Sequence, residues 1–329
     1  MKNALKVLIV ASLVVSFSLV SGTGFSASKK ITIGITNIVS APPLLETKRG
    51  FFAAMEKHGY NKSNTIYLDK VAEGDMSLCA SIAQSFVQQE VDLIFSITTP
   101  SSQAAVAAAK GTDIPIVFAA VTAPAEAGLV DSWEKPGGNV TGVSDRMNVP
   151  AQADLIKVFV PNARRIGTIY NTGEVNSMVQ VRELKEAAAD LGYVIIEAVV
   201  ASSPELIPAA KSLVGRVDAI WVPTDNIINL GLEAVVKVCE DNKIPLFGSD
   251  VHQVPRGEIA ALGIEMFDVG YVAGEKAVAI LKGQKKPFEI PVTGAVMNLL
   301  WVYPQQAERM GVKVPPHMLA KANKVVKDK

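Results

Sequence analysis

Cysteine and histidine are nearly absent: the 329 residues hold two cysteines and three histidines. The histidines stand apart, His58 at a helix end, His252 in a loop and His317 near the C-terminus. A lone loop histidine such as His252 is more often solvated than catalytic. No GxSxG, HExxH, CxxC or kinase-type set occurs, and no apolar run is followed by GxxxxGKS/T or GxGxxG. These absences exclude the common nucleophile, metal and nucleotide chemistries, so no enzyme, no cofactor and no metal are expected. The two thiols, Cys79 and Cys239, lie in helix-like stretches far apart in the chain. An oxidising compartment would allow a disulfide, but two buried, unpaired thiols are the expectation.

An excess of either charge is missing too. Lys and Arg together number 32, as do Asp and Glu, so no basic patch invites nucleic acid or an anionic membrane. No apolar run reaches the roughly 18 residues that a spanning helix needs. The longest, Val7 to Val20, follows Lys2 and Lys6 and precedes small residues at Ser26, Ala27 and Ser28. That pattern predicts a cleavable signal peptide over residues 1–28 and an exported, periplasmic chain that is not membrane-inserted after processing. Neither cysteine is placed to carry a lipid at the cleavage region. Without Lys2 and Lys6, 30 basic residues face 32 acidic ones, a formal charge of −2.

What is present is a repeat. "IGITN" at 33–37 is echoed by "IGTIYN" at 166–171, and "AAMEKHGY" ending at Tyr60 by "KEAAADLGY" ending at Tyr193. "VDLIFSITTP" from Val91 returns as "VDAIWVPTDN" from Val217, and "IPIVFAA" at 114 as "IPLFGSD" at 244. The offsets, 133, 133, 126 and 130 residues, run together over a whole unit. In each copy short β-branched runs alternate with helical stretches, the mark of right-handed βαβ crossovers and a parallel sheet. An α/β fold of two Rossmann-like doubly wound lobes is expected.

Ligands bind such sheets beyond the carboxyl ends of the strands. Seven loops therefore carry the candidate site: 36–43, 72–77, 97–102, 121–126, 170–177, 223–226 and 248–253. Their polar side chains include Asn37, Asp75, Thr122, Asn171, Asn176, Ser177, Asn226 and Asp250. Any one loop is explained by ordinary capping; seven at equivalent places point to a shared cleft. In "FSITTPSSQAAVAAAK" the strand ends at the cleft, Thr99 is the expected N-cap, and Pro100 suits the first helical position. Ser101 and Ser102 then bring hydroxyls beside free N–H groups, an anion site suited to a carboxylate.

After the second copy, a helix over 267–284, a strand "FEIPVTGAVM" and a short helix have no counterpart after the first. The helix is assigned to the first lobe and the strand to the second, so that the chain crosses three times, near residues 145, 265 and 290. The lobes are then 29–145 with 266–288, and 146–265 with 289–329. Three crossings make a hinge that closes but resists twisting.

The ordered set "TPSSQAA", "IPIVFAAVTAP", "PGGNVTGVSD", "YNTGEVNS", "VDAIWVPTDN", "IPLFGSD" and "DVGYVAGEKA" resembles the ABC-transporter substrate-binding proteins of the tryptophan/tyrosine-type group. The match covers essentially the whole chain after residue 28. The resemblance implies the type I periplasmic binding protein fold and a monomer that carries an amino acid with an aromatic or apolar side chain. Its partners would be an ABC permease and a separate ATPase subunit. Where relatives commonly read VTDP, this chain has Val121, Thr122, Ala123 and Pro124, and so lacks that carboxylate. A buried ammonium still needs a partner, and the candidates are Asp225, ranked first, Asp250 and Asp145. Thr99, Ser101 and Ser102 would hold the carboxylate, and Tyr170 would supply a wall. The alternative is a periplasmic sensor that presents its closed form to a separate membrane signalling protein.

Overall fold

The computed structural model describes residues 30–328, so the expected signal peptide lies outside the described residues. The first copy runs β1 (Ile31–Asn37), α1 (Pro42–Lys57), β2 (Thr65–Val71), α2 (Met76–Gln88), β3 (Leu93–Ile97), α3 (Thr99–Ala108), β4 (Ile116–Ala119) and β5 (Val140–Ser144). The second runs α4 (Val149–Phe159), β6 (Arg165–Tyr170), α5 (Val175–Leu191), β7 (Val194–Val199), α6 (Leu206–Leu213), β8 (Ala219–Val222), α7 (Asn226–Asn242), β9 (Leu246–Gly248) and β10 (Ala260–Gly263). A 3₁₀ turn over Val251–Arg256 precedes β10. The remainder forms α8 (Met266–Leu281), β11 (Thr293–Gly294), β12 (Leu299–Val302), α9 (Pro304–Arg309), α10 (Pro316–Lys321) and β13 (Lys324–Val325).

Two sheets result, ordered β11-β5-β4-β3-β1-β2 and β13-β12-β10-β9-β8-β6-β7. The pairings are parallel throughout except β10 with β12. Central strands such as "LIFSI" and "AIWV" are buried along their whole length, because helices cover both faces of a parallel sheet. Each sheet has its own apolar core, around Phe51, Phe86, Phe95 and Phe118 in the first lobe and Trp221 and Phe247 in the second. The order β2-β1-β3-β4-β5 recurs as β7-β6-β8-β9-β10, so the strand order reverses between β1 and β3 and again between β6 and β8. Those are the places where a doubly wound sheet opens a crevice.

α8 returns to the first lobe and crosses α1 at glycines. A Cβ on Gly270 would stand 1.7 Å from the Thr47 carbonyl oxygen, and one on Gly50 1.9 Å from that of Phe267. The stretch 288–297 departs from expectation. Instead of a strand of the second lobe it gives a 3₁₀ turn at Pro287–Glu289 and then β11, which pairs with β5 of the first. Its backbone is held there: Thr141 Oγ1 donates to the Ile290 carbonyl, Val292 N–H to that of Trp133, and the buried Lys276 amine to those of Gly142 and Pro291. The third passage between sheets thus falls between residues 294 and 299, and residues 289–294 stay with the first sheet. Among the described residues no helix is long and apolar enough to cross a membrane.

Candidate functional site

The strand ends of the two lobes meet around a narrow cleft. The first lobe lines it with Leu44, Thr98, Thr99, Ala120, Thr122 and Asp145, the second with Asn176, Thr224, Asn226 and Asn229. Two of these residues hold left-handed backbone without being glycine, Thr98 at φ 81° and Ala120 at φ 55°. Such positions cost about 1–3 kcal/mol each and collect where a site demands a particular backbone direction. Both stand where a strand delivers the chain to the cleft, after β3 and after β4.

At the start of α3 the N-cap is Thr98, one residue earlier than expected, and Thr99 is already helical. Ser102 N–H makes the first helical bond, to the Thr98 carbonyl, leaving the N–H groups of Thr99 and Ser101 ahead of the ladder. The one-residue shift turns the serines inward. Ser102 Oγ donates to the Thr98 carbonyl at 2.7 Å and lies 2.9 Å from Ser96 Oγ; Ser101 Oγ faces the Cys79 thiol at 3.7 Å. The residues of this turn that line the cleft are instead Thr98 and Thr99, whose Oγ1 atoms are buried and without a hydrogen-bond partner among the described residues.

Asp225 does not line the cleft. One of its carboxylate oxygens caps α7 by accepting from Ile227 and Ile228 N–H, and the other accepts from Asn171 N–H and Ser177 Oγ. Four donors from its own chain fill it, so the capping reading wins over the ammonium partner. Ser177 and Asn171 are likewise committed, the latter also accepting from Gly173 N–H through Oδ1. Asp250 caps the 3₁₀ turn and holds His252 through N–H and Nδ1, and does not line the cleft. Burial pulls the imidazole down, but the Asp250 and Glu265 carboxylates outweigh it and raise it. Asp75 is an exposed cap of α2. Tyr170 does not line the cleft; its hydroxyl donates to Glu197 on β7 at 2.7 Å. Asn37, at the end of β1, is buried with both amide atoms unpartnered but does not line the cleft.

Asp145 is the carboxylate that lines the cleft. Oδ1 accepts from Thr122 Oγ1 at 2.9 Å, and burial pushes the acid up to about 6. Across from it stands a group absent from the expected site, Glu174. It is buried and has no cation beside it among the described residues; its Oε2 accepts from Asn176 Nδ2 at 2.9 Å, Asn226 N–H at 3.2 Å and Asn226 Nδ2 at 2.6 Å. Burial and the nearby Asp225 charge push it up to about 8. Asn176 Oδ1 is buried and unpartnered. Thr98, Ala120, Thr224 and Asn229 also join the wall without having been singled out; only their nearness to the strand ends signals them. Both thiols are free and buried.

The lobes are closed on one another. Val175 of α5 packs against the first lobe's core, and Leu230 of α7 stands 3.6 Å from the place a Cβ on Gly74 would take. Arg146, just past β5, pairs with Glu183 on α5 and, at 3.5 Å, with Glu126.

The family model for "ABC transporter substrate binding protein" matches residues 32–326. A tyrosine-binding protein of Clostridioides difficile strain R20291 is 45% identical over 268 residues, which are 81% of this chain and 77% of that protein. A streptococcal ABC domain in complex with L-Trp superposes with a TM-score of 0.87 at 34% identity, covering 90% of this chain and 100% of that one. The ligand-free, open structure of a Clostridium difficile substrate-binding protein with adhesive properties is 39% identical, with coverage of 91% and 100%, yet its TM-score is 0.67. The nearer sequence superposes less well, which matches the closed setting of the lobes seen here. The fold is the two-lobed type I periplasmic binding protein fold.

Proposed function

We propose, for a chain that belongs to the ABC transporter substrate binding protein family, that it captures a free amino acid between its lobes and hands it to a membrane permease served by a separate ATPase. One observation carries the reading. Thr98 Oγ1 and Thr99 Oγ1 from one lobe and Asn176 Oδ1 from the other are buried, unpartnered and turned to the same cleft. Buried polar atoms are rarely left without partners, so three on one cavity mark the positions of ligand atoms. The ligand carboxylate would take the two threonine hydroxyls and the free N–H groups of Thr99 and Ser101, with α3's positive end behind them. Its ammonium would face Asp145, whose carboxylate is lifted by burial for want of a cation and would ionise fully once paired. The names of the relatives, a tyrosine-binding protein and an L-Trp complex, point to an aromatic side chain. Binding without chemistry fits a cleft whose walls carry hydroxyls, amides and one acid but no base paired to a nucleophile. The leader expected over residues 1–28 would put the protein outside the cytoplasmic membrane, acting as a monomer.

The test is a thermal-shift panel of amino acids on protein unfolded and refolded to strip carried-over ligand. Ligand at 100 times Kd stabilises by about 2.7 kcal/mol, a rise of several degrees in a chain of this size. Tyrosine or tryptophan should give that rise. No rise with any amino acid overturns the reading.

A further inference from the structure

We propose that Glu174 is a positioning residue that fixes the polarity of two amides in the cleft wall, so that the second lobe offers carbonyl oxygens to the ligand's ammonium. The proposal rests on the amino-acid reading above and names which atoms of the second lobe enforce it.

An asparagine side chain can turn either its oxygen or its nitrogen to a ligand, and the two choices select opposite partners. Here neighbours make the choice. Asn176 Nδ2 lies between two groups that only accept, Glu174 Oε2 at 2.9 Å and the Thr224 carbonyl at 2.8 Å. Asn226 Nδ2 is 2.6 Å from the same Oε2, which also takes the Asn226 backbone N–H. With both nitrogens drawn to Glu174, both Oδ1 atoms are turned away from it. Among the described residues Asn176 Oδ1 is buried without a partner, the Asn226 side chain bonds through Nδ2 and not Oδ1, and both side chains line the cleft.

The carboxyl keeps this task in either protonation state. Burial favours its neutral form, and three N–H donors on Oε2 leave the proton to Oε1, so Oε2 still accepts. Asn229 on the same wall shows the reverse setting: its Oδ1 accepts from Gln253 Nε2, which leaves Nδ2 as its free end. The wall therefore has an acceptor end, at Asn176 and Asn226, and a donor end at Asn229. A ligand presenting a carboxylate to the acceptor end would be rejected, which sets the direction in which a zwitterion enters.

The test compares L-tyrosine with its des-amino analogue, 3-(4-hydroxyphenyl)propanoate, by calorimetry on the wild type, Glu174→Gln, Glu174→Met and Asn176→Ala. Glutamine retains an accepting oxygen and should hold both ligands within about threefold of wild type. Methionine keeps the length but frees the Asn226 amide to turn and leaves Asn176 held by the Thr224 carbonyl alone, and should weaken tyrosine by about tenfold or more while the analogue changes little. Asn176→Ala removes one acceptor outright and should show the same selective loss, which keeps the question decidable if the methionine variant folds poorly. Equal loss of both ligands would make Glu174 merely structural; a glutamine variant as weak as methionine would assign the effect to charge. Either result overturns the proposal. A wild type that binds the analogue but no amino acid overturns the amino-acid reading itself, a result distinct from the other two.

Discussion

Thr99 and Ser102 sit three positions apart at the start of one helix, and the difference between them is a difference of direction. Ser102 Oγ is bonded inside its own lobe, to the Thr98 carbonyl and Ser96 Oγ. Removing it in Ser102→Ala should cost about 1 kcal/mol of stability and leave affinity intact. Thr99 Oγ1 has no partner among the described residues, so Thr99→Val, equal in shape, should leave the ligand-free melting temperature unchanged or slightly higher. Its affinity should fall about tenfold, the loss of one hydrogen bond to a charged group. Calorimetric melting and ligand titration of the two variants decide it; the opposite pattern would return the site to the serine. The loop was legible in the sequence because a strand end, a proline and a row of hydroxyls fix where the helix begins. Which hydroxyls face out was not, since moving the cap by one residue rotates every side chain of the first turn by about 100°. Asp225 shows the same limit. Its spacing before a helix reads equally as cap or ligand, and only folding brings Asn171 and Ser177 to fill its second oxygen. Glu174 lay within one of the loops picked out, yet nothing in "NTGEVNS" shows that two asparagines 50 residues apart would converge on it.

At the scale of elements, the repeat made the strand order readable twice over, because each copy had to bury the same alternation of apolar runs and helices. The ends of the repeat were harder. The segment 288–297 has the composition of a strand, but Pro291 and Gly294 shorten it to two paired residues, and Lys276 and Thr141 hold its carbonyls on the first lobe. No local pattern announces those long-range partners. The crossing of α1 and α8 rests on backbone approach at Gly50, Gly270 and Gly274. A methyl on Gly270 would meet the Thr47 carbonyl rather than a side chain able to turn aside. Gly270→Ala should therefore force the helices apart and destabilise the protein by about 1–3 kcal/mol or more. The strands that carry Thr98 and Asp145 lie in the same sheet, so affinity measured well below the lowered melting temperature reports whether the strain stays local. An unchanged melting temperature would mean that the two helices separate freely.

The whole molecule adds what neither residue nor element has alone, a cleft whose two walls belong to different cores. Three passages of the chain, after β5, before α8 and between β11 and β12, join the lobes. Closure then depends on contacts that exist only when the lobes meet, and Val175 is the clearest of them. It opens α5 on the second lobe and packs against the apolar core of the first. In the open state the same side chain would face water. Aspartate there suits a helix's first turn, where the dipole favours a negative charge, so Val175→Asp should leave the fold of the second lobe intact. In the closed state the charge would be pressed against apolar surface beside the Glu174 carboxyl, and burying it without a cation is costly. The variant should consequently melt as the ligand-free wild type does but bind its amino acid at least about tenfold more weakly. Small-angle scattering should show the wild type contracting when ligand is added, while the variant stays expanded at ligand concentrations that saturate the wild type. Equal contraction and equal affinity in the two proteins would mean that the contact between Val175 and the first lobe contributes nothing to closure. The stabilisation would then have to come from the ligand's own bonds to Thr98, Thr99 and Asp145 on one side and the asparagines on the other.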